Sequence, residues 1–325
     1  MGSELRQLLA ELIYLPLKEI LAAAWRVRET NFPPELVVAV PGAKYFDNGF
    51  FRNNRYMFPA ISLTGTKCEL QCLHCRGKIL EDMYHVSSPG ELVELGERLT
   101  ERGCMGLLVS GGSDLGGRVP LTAFLEAFSK LKDMGLTVVV HTGFVDPATA
   151  AALKSSGIDR VLVDIIGDDE TARSVCGVAQ GAAPYWNTLD VLLEQGLKVI
   201  PHVILGLYFG RLKGELEAVC GVLNRGLKDL VFVVLKPLPG TPMEEVTPPE
   251  PASAIKVVAA ARITAPEANL RLGCARPGGL YAERVETYAL LAGVNAVAYP
   301  SAPVLRLAER RGLKVVYRDI CCCLA

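Results

Sequence analysis

The chain is poor in aromatic residues and carries almost no net charge. Phe, Trp and Tyr make up 7% of its 325 residues, and 34 Lys and Arg stand against 35 Asp and Glu, for a formal charge of -1. Such a balance provides neither the basic footprint that binds nucleic acid nor a polybasic segment for an anionic membrane surface. Long apolar runs are missing too. The stretch 1–30 has apolar residues at helical spacing, but Arg6, Glu11, Lys18, Glu19 and Arg26 interrupt it. It falls short of the ~18 apolar residues that a membrane span needs and reads as neither signal peptide nor anchor. Arg6 also stands where an N-myristoylation motif requires Ser or Thr. Pro16 should split the stretch into two short helices. With nucleic acid and membrane set aside, a small molecule or a protein-borne group remains as substrate.

Cysteine, in contrast, is plentiful, with ten residues. Without a signal peptide these thiols are expected to be reduced in the cytoplasm, so their clustering is read first as metal binding or catalysis and only then as disulfides.

From residue 58 onward short apolar runs alternate with helical-period segments. Strands are predicted near 58–64, 106–110, 137–142, 160–165, 198–205, 229–236, 269–274 and 296–300, with helices over 89–102, 120–134, 184–195, 211–225, 250–264 and 279–292. Eight such units mean a parallel sheet covered by helices. A closed (βα)8 barrel and a doubly wound open sheet both fit. The count of eight and the lack of a Gly-x-Gly-x-x-Gly turn after the first strand favour the α/β barrel of TIM type. The expected organisation is a helical extension over 1–50, the barrel over 51–310 and a Cys-rich tail over 311–325.

The most informative segment is "TKCELQCLHCRG", residues 66–77, with Cys68, Cys72 and Cys75 spaced by three residues and then two. Structural zinc sites use four ligands, usually in two separated pairs. Three thiolates in one loop leave one iron of a four-iron cluster without a protein ligand, an open position for a substrate. A zinc knuckle, or three unrelated thiols, is the plainer reading. The loop follows the first predicted strand, at the barrel face where active sites are built.

Cys-x-x-x-Cys-x-x-Cys at this place resembles the signature of the radical S-adenosylmethionine enzymes. The resemblance implies a 4Fe4S cluster on Cys68, Cys72 and Cys75 and S-adenosylmethionine as cosubstrate, cleaved reductively to a 5'-deoxyadenosyl radical. It also implies an electron donor such as ferredoxin or flavodoxin. Gly111, Gly112, Ser113 and Asp114, in "VSGGSDLGG", are similar to the family's glycine-rich turn that meets the amino group of S-adenosylmethionine; glycine lets backbone approach a ligand closely. Asp164 ends the fourth strand, where the family has a polar residue contacting ribose or substrate, or else it caps a helix. His74 is an adenine neighbour or a surface residue. "HVILGL" resembles the family's adenine-binding segment, which assigns Ile204 and Gly206, with His202 beside them.

The turn "KPLPGTPM" (236–243), with Thr241 in it, and "LRLGCARPGG" resemble the biotin synthase branch over roughly residues 50–300. That branch holds a second, sacrificial cluster with barrel cysteines and a strand-seven arginine. Arg271 matches the arginine by position, whereas His141 and His202 stand where cysteines would be. Cys274 with two of Cys321, Cys322 and Cys323 could hold a second Fe–S cluster if the tail folds over the barrel mouth; the alternative is a disordered tail. The branch resemblance points to the two-protein lipoyl synthases. It implies sulfur insertion into an octanoyl chain on a carrier protein, with a second radical enzyme as partner. Other readings are a lyase, mutase or cofactor-maturation reaction without a second cluster, and a non-catalytic Fe–S scaffold. Cys104, Cys176 and Cys220 are read as small core residues and His85 as a surface residue, while Lys236, Arg276 and Tyr281 project near the strand ends.

Overall fold

The computed structural model describes residues 2–325. Its strands are β1 (Glu35–Ala39), β2 (Ala60–Ser62), β3 (Tyr84–His85), β4 (Gly106–Ser110), β5 (Thr137–His141), β6 (Arg160–Asp164), β7 (Val199–Leu205), β8 (Asp229–Val234), β9 (Asn269–Leu272), β10 (Ala296–Ala298) and β11 (Lys314–Arg318). The eight predicted strands are β2 and β4 to β10, and all their pairings are parallel. The sheet runs β11-β1-β10-β9-β8-β7-β6-β5-β4-β2-β3. Here the structure departs from a closed ring: β10 pairs with β1, not β2, and β1 carries β11 on its outer side. Thus the N-terminal 50 residues and the tail each contribute a strand, and neither is a separate appendage.

Helices cover the outer face, including Pro89–Thr100, Leu125–Asp133, Ala183–Glu194, Pro251–Thr264 and Gly279–Leu291. Their starts follow local chemistry. Ser88 and Asp146 cap the amides of Glu91 and Thr149, each with proline in the first turn. Pro16 divides the N-terminal stretch into Gly2–Tyr14 and Leu17–Asn31, which pack across Pro251–Thr264. Among the described residues no helix is long and apolar enough to cross a membrane.

Strand alternation creates two cores. Val138, Val140, Val161, Val163, Val203 and Leu205 point outward under the helices, while Val139, Leu162, Ile200 and Val231 point inward. Continuing the inward parity toward the C-terminal ends of the strands gives Ser110, His141, Asp164, His202 and Ile204. The inner face is therefore apolar at its base and polar at its mouth. Residues 319–325 turn back after β11 and enter the interior, where Cys321, Cys322 and Cys323 are buried against Val38, Ile200 and Val231. The tail is an interior filler, so the expectation of a cover over the mouth, like that of a disordered end, is corrected.

Candidate functional site

The cysteine loop leaves β2 and is tied down by its own backbone. Cys75 and Arg76 amides bond to the Cys72 carbonyl, and Gln71 and Arg76 adopt left-handed conformations that curl the chain around the thiols. Against it lies the turn after β4. The Gly112 amide donates to Thr64 Oγ1 at 2.7 Å, the Glu69 amide to the Ser113 carbonyl at 2.7 Å, and the Ser113 amide to Cys68 Sγ at 3.4 Å. A Cβ on Gly112 would stand 1.9 Å from the Lys67 carbonyl oxygen, so only glycine permits this approach.

One pocket is lined by Cys68, Cys72, His74, Cys75, Gly111, Gly112, Ser113, His141, Asp164 and Ile204, with Phe144, Cys176, Tyr185 and Leu207 completing its wall. Nine of the residues assigned from sequence thus converge on one space. Three do not line it. Asp114 faces the neighbouring groove and bonds the Arg118 amide at 2.8 Å. Gly206 has φ +78°, packs against Pro249 and donates its amide to Glu215 Oε1 at 2.7 Å. His202 lies deeper, buried and stacked on His141 with ring centroids 5.4 Å apart.

The electrostatics form a column descending from the loop. His141 Nε2 stands 3.6 Å from Asp164 Oδ1. Burial works against the Asp164 charge, yet His141, His202 and His74 together hold its carboxyl at about 2. Burial likewise opposes protonation of His141, and Asp164 outweighs it, so that His141 is raised above its ordinary value. At His202 burial and His141 outweigh Asp164, and it is pushed down to about 4. The Cys72 thiol is pushed up to about 12, first by its hydrogen bond with Cys176, and Cys75 to about 12 by its bond with Cys72 and by burial. Unmetallated, these thiols keep their protons; a soft cation is what would draw them out.

At the base, Arg271 donates through Nε to the Ala325 main-chain oxygen at 2.5 Å and through Nη2 to Asp229 Oδ1 at 2.6 Å, leaving Nη1 buried without a partner. This arginine, matched by position to one that holds a cluster, is engaged in anchoring the tail. Anchoring brings Cys322 up to Cys274, which is accessible at the end of β9. The Cys274 thiol is pushed up by Cys322 and by burial. The turn bearing Cys274 is fixed by Arg276, whose guanidinium bonds the buried Glu286 carboxylate at 2.6 Å and the carbonyls of Gly273, Ala298 and Tyr299. Among the described residues no three His, Cys, Asp or Glu side chains converge as ligands of a single metal ion. A four-iron cluster asks for more, with thiols spread around a larger body, and the loop thiols with the glycine turn pressed on them form such a cradle.

Other assignments are local. His85 bonds the Leu80 carbonyl, Thr241 Oγ1 the Leu238 carbonyl and Tyr281 Oη the Pro249 carbonyl, while Lys236 is exposed. His141 and Cys176 are among the pocket residues not assigned to it from the sequence. His141 was legible from its inward parity at a strand end; Cys176, read as a core residue, had no sequence signal at all.

Comparison with known proteins follows this geometry. Residues 62–212 match the Radical SAM superfamily and residues 232–321 the Biotin and Thiamin Synthesis associated domain. Curated relatives include "Biotin synthase" of Neorickettsia sennetsu, 25% identical over 305 residues, covering 89% of this chain and 84% of the relative. "Biotin synthase" of Ruthia magnifica is 24% identical over 306 residues with the same coverage. Among solved structures, methylornithine synthase (PylB) superposes with a TM-score of 0.64 at 18% identity, covering 98% of this chain and 94% of that one. HydG, a maturase of the [FeFe]-hydrogenase, superposes with a TM-score of 0.66 at 16% identity, covering 98% and 74%. The two structures share the fold.

Proposed function

We propose that this chain, whose residues 62–212 match the Radical SAM superfamily and 232–321 the Biotin and Thiamin Synthesis associated domain, is a radical S-adenosylmethionine enzyme that inserts sulfur at an unactivated carbon, drawing the sulfur from a second cluster on Cys274 and the tail. The observation that carries this reading is the entry of the tail into the barrel, which buries Cys321, Cys322 and Cys323 and packs the turn Cys322–Leu324 against β9, the strand that leads into Cys274. Cys68, Cys72 and Cys75 would hold the reducing 4Fe4S cluster, which when bound supplies the electron that splits S-adenosylmethionine. The Gly111–Gly112 turn would face the cosubstrate with backbone free of side chains, the Gly112 and Ser113 amides being engaged by Thr64 and Cys68, while Ile204 and Leu207 give its wall an apolar face. Asp164, ionised beside His141, is placed to accept hydrogen bonds from hydroxyl groups. Phe144 and Tyr185 pack edge to face, 4.9 Å between centroids, and keep water from that wall.

The substrate in this reading is an octanoyl chain on a lipoyl-carrier protein, with a ferredoxin or flavodoxin as reductant, a second radical enzyme as partner and the cytoplasm as setting. The test is iron and acid-labile sulfide per chain after anaerobic reconstitution, comparing wild type with a variant lacking Cys68, Cys72 and Cys75. Iron and sulfide retained by that variant and lost on adding Cys274→Ser and Cys322→Ser support a second cluster; a variant with none overturns it. The His141–Asp164 pair favours a second reading, a lyase or rearrangement that moves a proton at the pocket floor without a second cluster. Serine at Cys274 and Cys322 would then leave turnover intact.

A further inference from the structure

Cys176 stands apart from the other cysteines read as core residues. It follows the short helix Asp169–Ser174, about a hundred residues beyond the cysteine loop, yet it is docked on that loop. The Leu73 amide donates to the Val175 carbonyl at 2.8 Å, and Cys72 Sγ to the Cys176 carbonyl at 3.4 Å. Gly177, with φ +74°, takes the left-handed turn that follows Cys176, and a Cβ there would be in ordinary contact with the Leu70 carbonyl oxygen. Cys176, Cys72 and Tyr185 meet in the wall of one pocket. Cys176 is 3% exposed and lines the same pocket as the three loop thiols. Cys176 also belongs to a small core with Ile166, Val175 and Met243, but core packing alone asks neither for the backbone bonds to the loop nor for a place in the wall that the three thiols share. Cys104, in contrast, bonds only backbone carbonyls at the base of the sheet.

We propose that Cys176 is a fourth protein ligand of the loop cluster, occupying in the absence of cosubstrate the position that Cys68, Cys72 and Cys75 leave open. This rests on the assignment of the cluster to the loop. Thiolate is the soft donor that iron–sulfur clusters take, and four such ligands complete a four-iron cluster. Cosubstrate and Cys176 then compete for one position. On exchange the iron–sulfur bond to Cys176 breaks, its thiolate takes up a proton, and the iron is free for the amino and carboxylate groups of S-adenosylmethionine. The site is therefore closed at rest, which guards the exposed corner of the cluster against loss of iron, and it opens only to a ligand able to displace a thiolate.

The experiment uses the full chain, reconstituted anaerobically in a Cys274→Ser/Cys322→Ser background so that only the loop cluster reports. The protein is treated with one equivalent of ferricyanide without cosubstrate and examined by electron paramagnetic resonance and iron analysis. The background protein should keep its iron and give no three-iron signal, whereas Cys176→Ala should lose about one iron in four and show that signal. Cys176→Ala should also bind S-adenosylmethionine more tightly, because no thiolate has to leave. Equal three-iron signals from both proteins overturn the proposal. Should Cys176→Ala fail to load, the background protein decides alone, since a full three-iron signal from it removes any fourth ligand. Iron that survives loss of Cys68, Cys72 and Cys75 in this background would overturn the loop assignment itself, a result distinct from failure of Cys176.

Discussion

Substituting Gly112 by alanine, beside Gly111→Ala as its neighbour control, tests whether the glycine turn and the cysteine loop are one unit. A Cβ on Gly112 meets the Lys67 carbonyl oxygen at 1.9 Å, Cys68 Cα at 2.6 Å and Cys68 Cβ at 2.7 Å, where ordinary contact begins near 3.4 Å. These are backbone atoms or atoms next to backbone, so the turn and loop must separate by more than ~1 Å along that line. The move would break the Ser113–Cys68 and Glu69–Ser113 hydrogen bonds that register one against the other. At Gly111 the nearest atoms are Thr64 Cγ2 at 3.3 Å and Val119 Cγ1 at 3.4 Å, ends of side chains that can yield. A misplacement of ~1 Å at a reacting centre costs on the order of 10²-fold, or roughly 2.7 kcal/mol in the barrier. The assay is 5'-deoxyadenosine formed by dithionite-reduced protein, normalised to loaded iron. Gly112→Ala should fall about 10²-fold and Gly111→Ala no more than about threefold. Equal activities would refute the claim that backbone contact at Gly112 positions the loop.

Three further outcomes follow from the buried charges. Glu286→Ala should cost ~3–5 kcal/mol in urea unfolding, because it strands the Arg276 guanidinium among carbonyls, and the pair Arg276→Met/Glu286→Leu should recover much of that; a cost under ~1 kcal/mol would show that the pair does not fix the Cys274 turn. Asp164→Asn should drop the His141 pKa below its ordinary value, since only burial then acts on it, as read by NMR titration; an unchanged value would mean Asp164 does not orient the ring. In the wild type the raised His141 adds stability at pH below its unfolded value that is lost as pH rises through the folded one, while Asp164 adds stability that is lost only as pH falls toward about 2. Glu215, pushed up to about 7 by burial, destabilises the fold progressively as pH rises from its ordinary value through 7, so Glu215→Gln should raise the melting temperature at pH 8 and not at pH 4; the reverse order would place a cation or water network at that carboxylate.

The eight-unit pattern was readable because each inner strand is a short β-branched run between helical periods, and the three-thiol loop because its spacing has few other uses. The same residues show where reading stopped. β1 and β11 are ordinary apolar runs, and nothing in "ELVVA" or "KVVYR" says that they pair with each other and insert beside β10. That is a tertiary choice of edge, and it converts the expected ring into an open eleven-stranded sheet. Cys176, read as a small core residue, is buried as expected, but its approach to the cysteine loop was not legible for a related reason. Its role depends on a left-handed glycine letting one loop land on another a hundred residues away, which no local period encodes. Arg271 was found by position but given the wrong neighbour, because its partners, Asp229 and Ala325, come from a strand base and a tail whose path the sequence does not fix.

The open edge and the buried tail are linked through volume. An eight-stranded barrel has an interior just wide enough for its own side chains to fill. With β1 and β11 at one edge the sheet stays open, and inward residues such as Val139, Ile200 and Ala298 share their core with the tail. Ile320 to Ala325 take up that space, with Cys321, Cys322 and Cys323 each no more than 5% exposed and Leu324 and Ala325 packed beside them. The tail is thus part of the hydrophobic core as well as the bearer of thiols, and the two roles respond differently to perturbation. Deleting residues 320–325 would open a cavity and strand the Arg271 guanidinium, so loss of iron or activity in such a protein carries no information about ligands. Serine at Cys322 keeps the volume and the backbone path while removing the sulfur. A second cluster is therefore tested by Cys322→Ser with its melting temperature held near that of the wild type, and iron unchanged under that condition would assign the tail to packing alone.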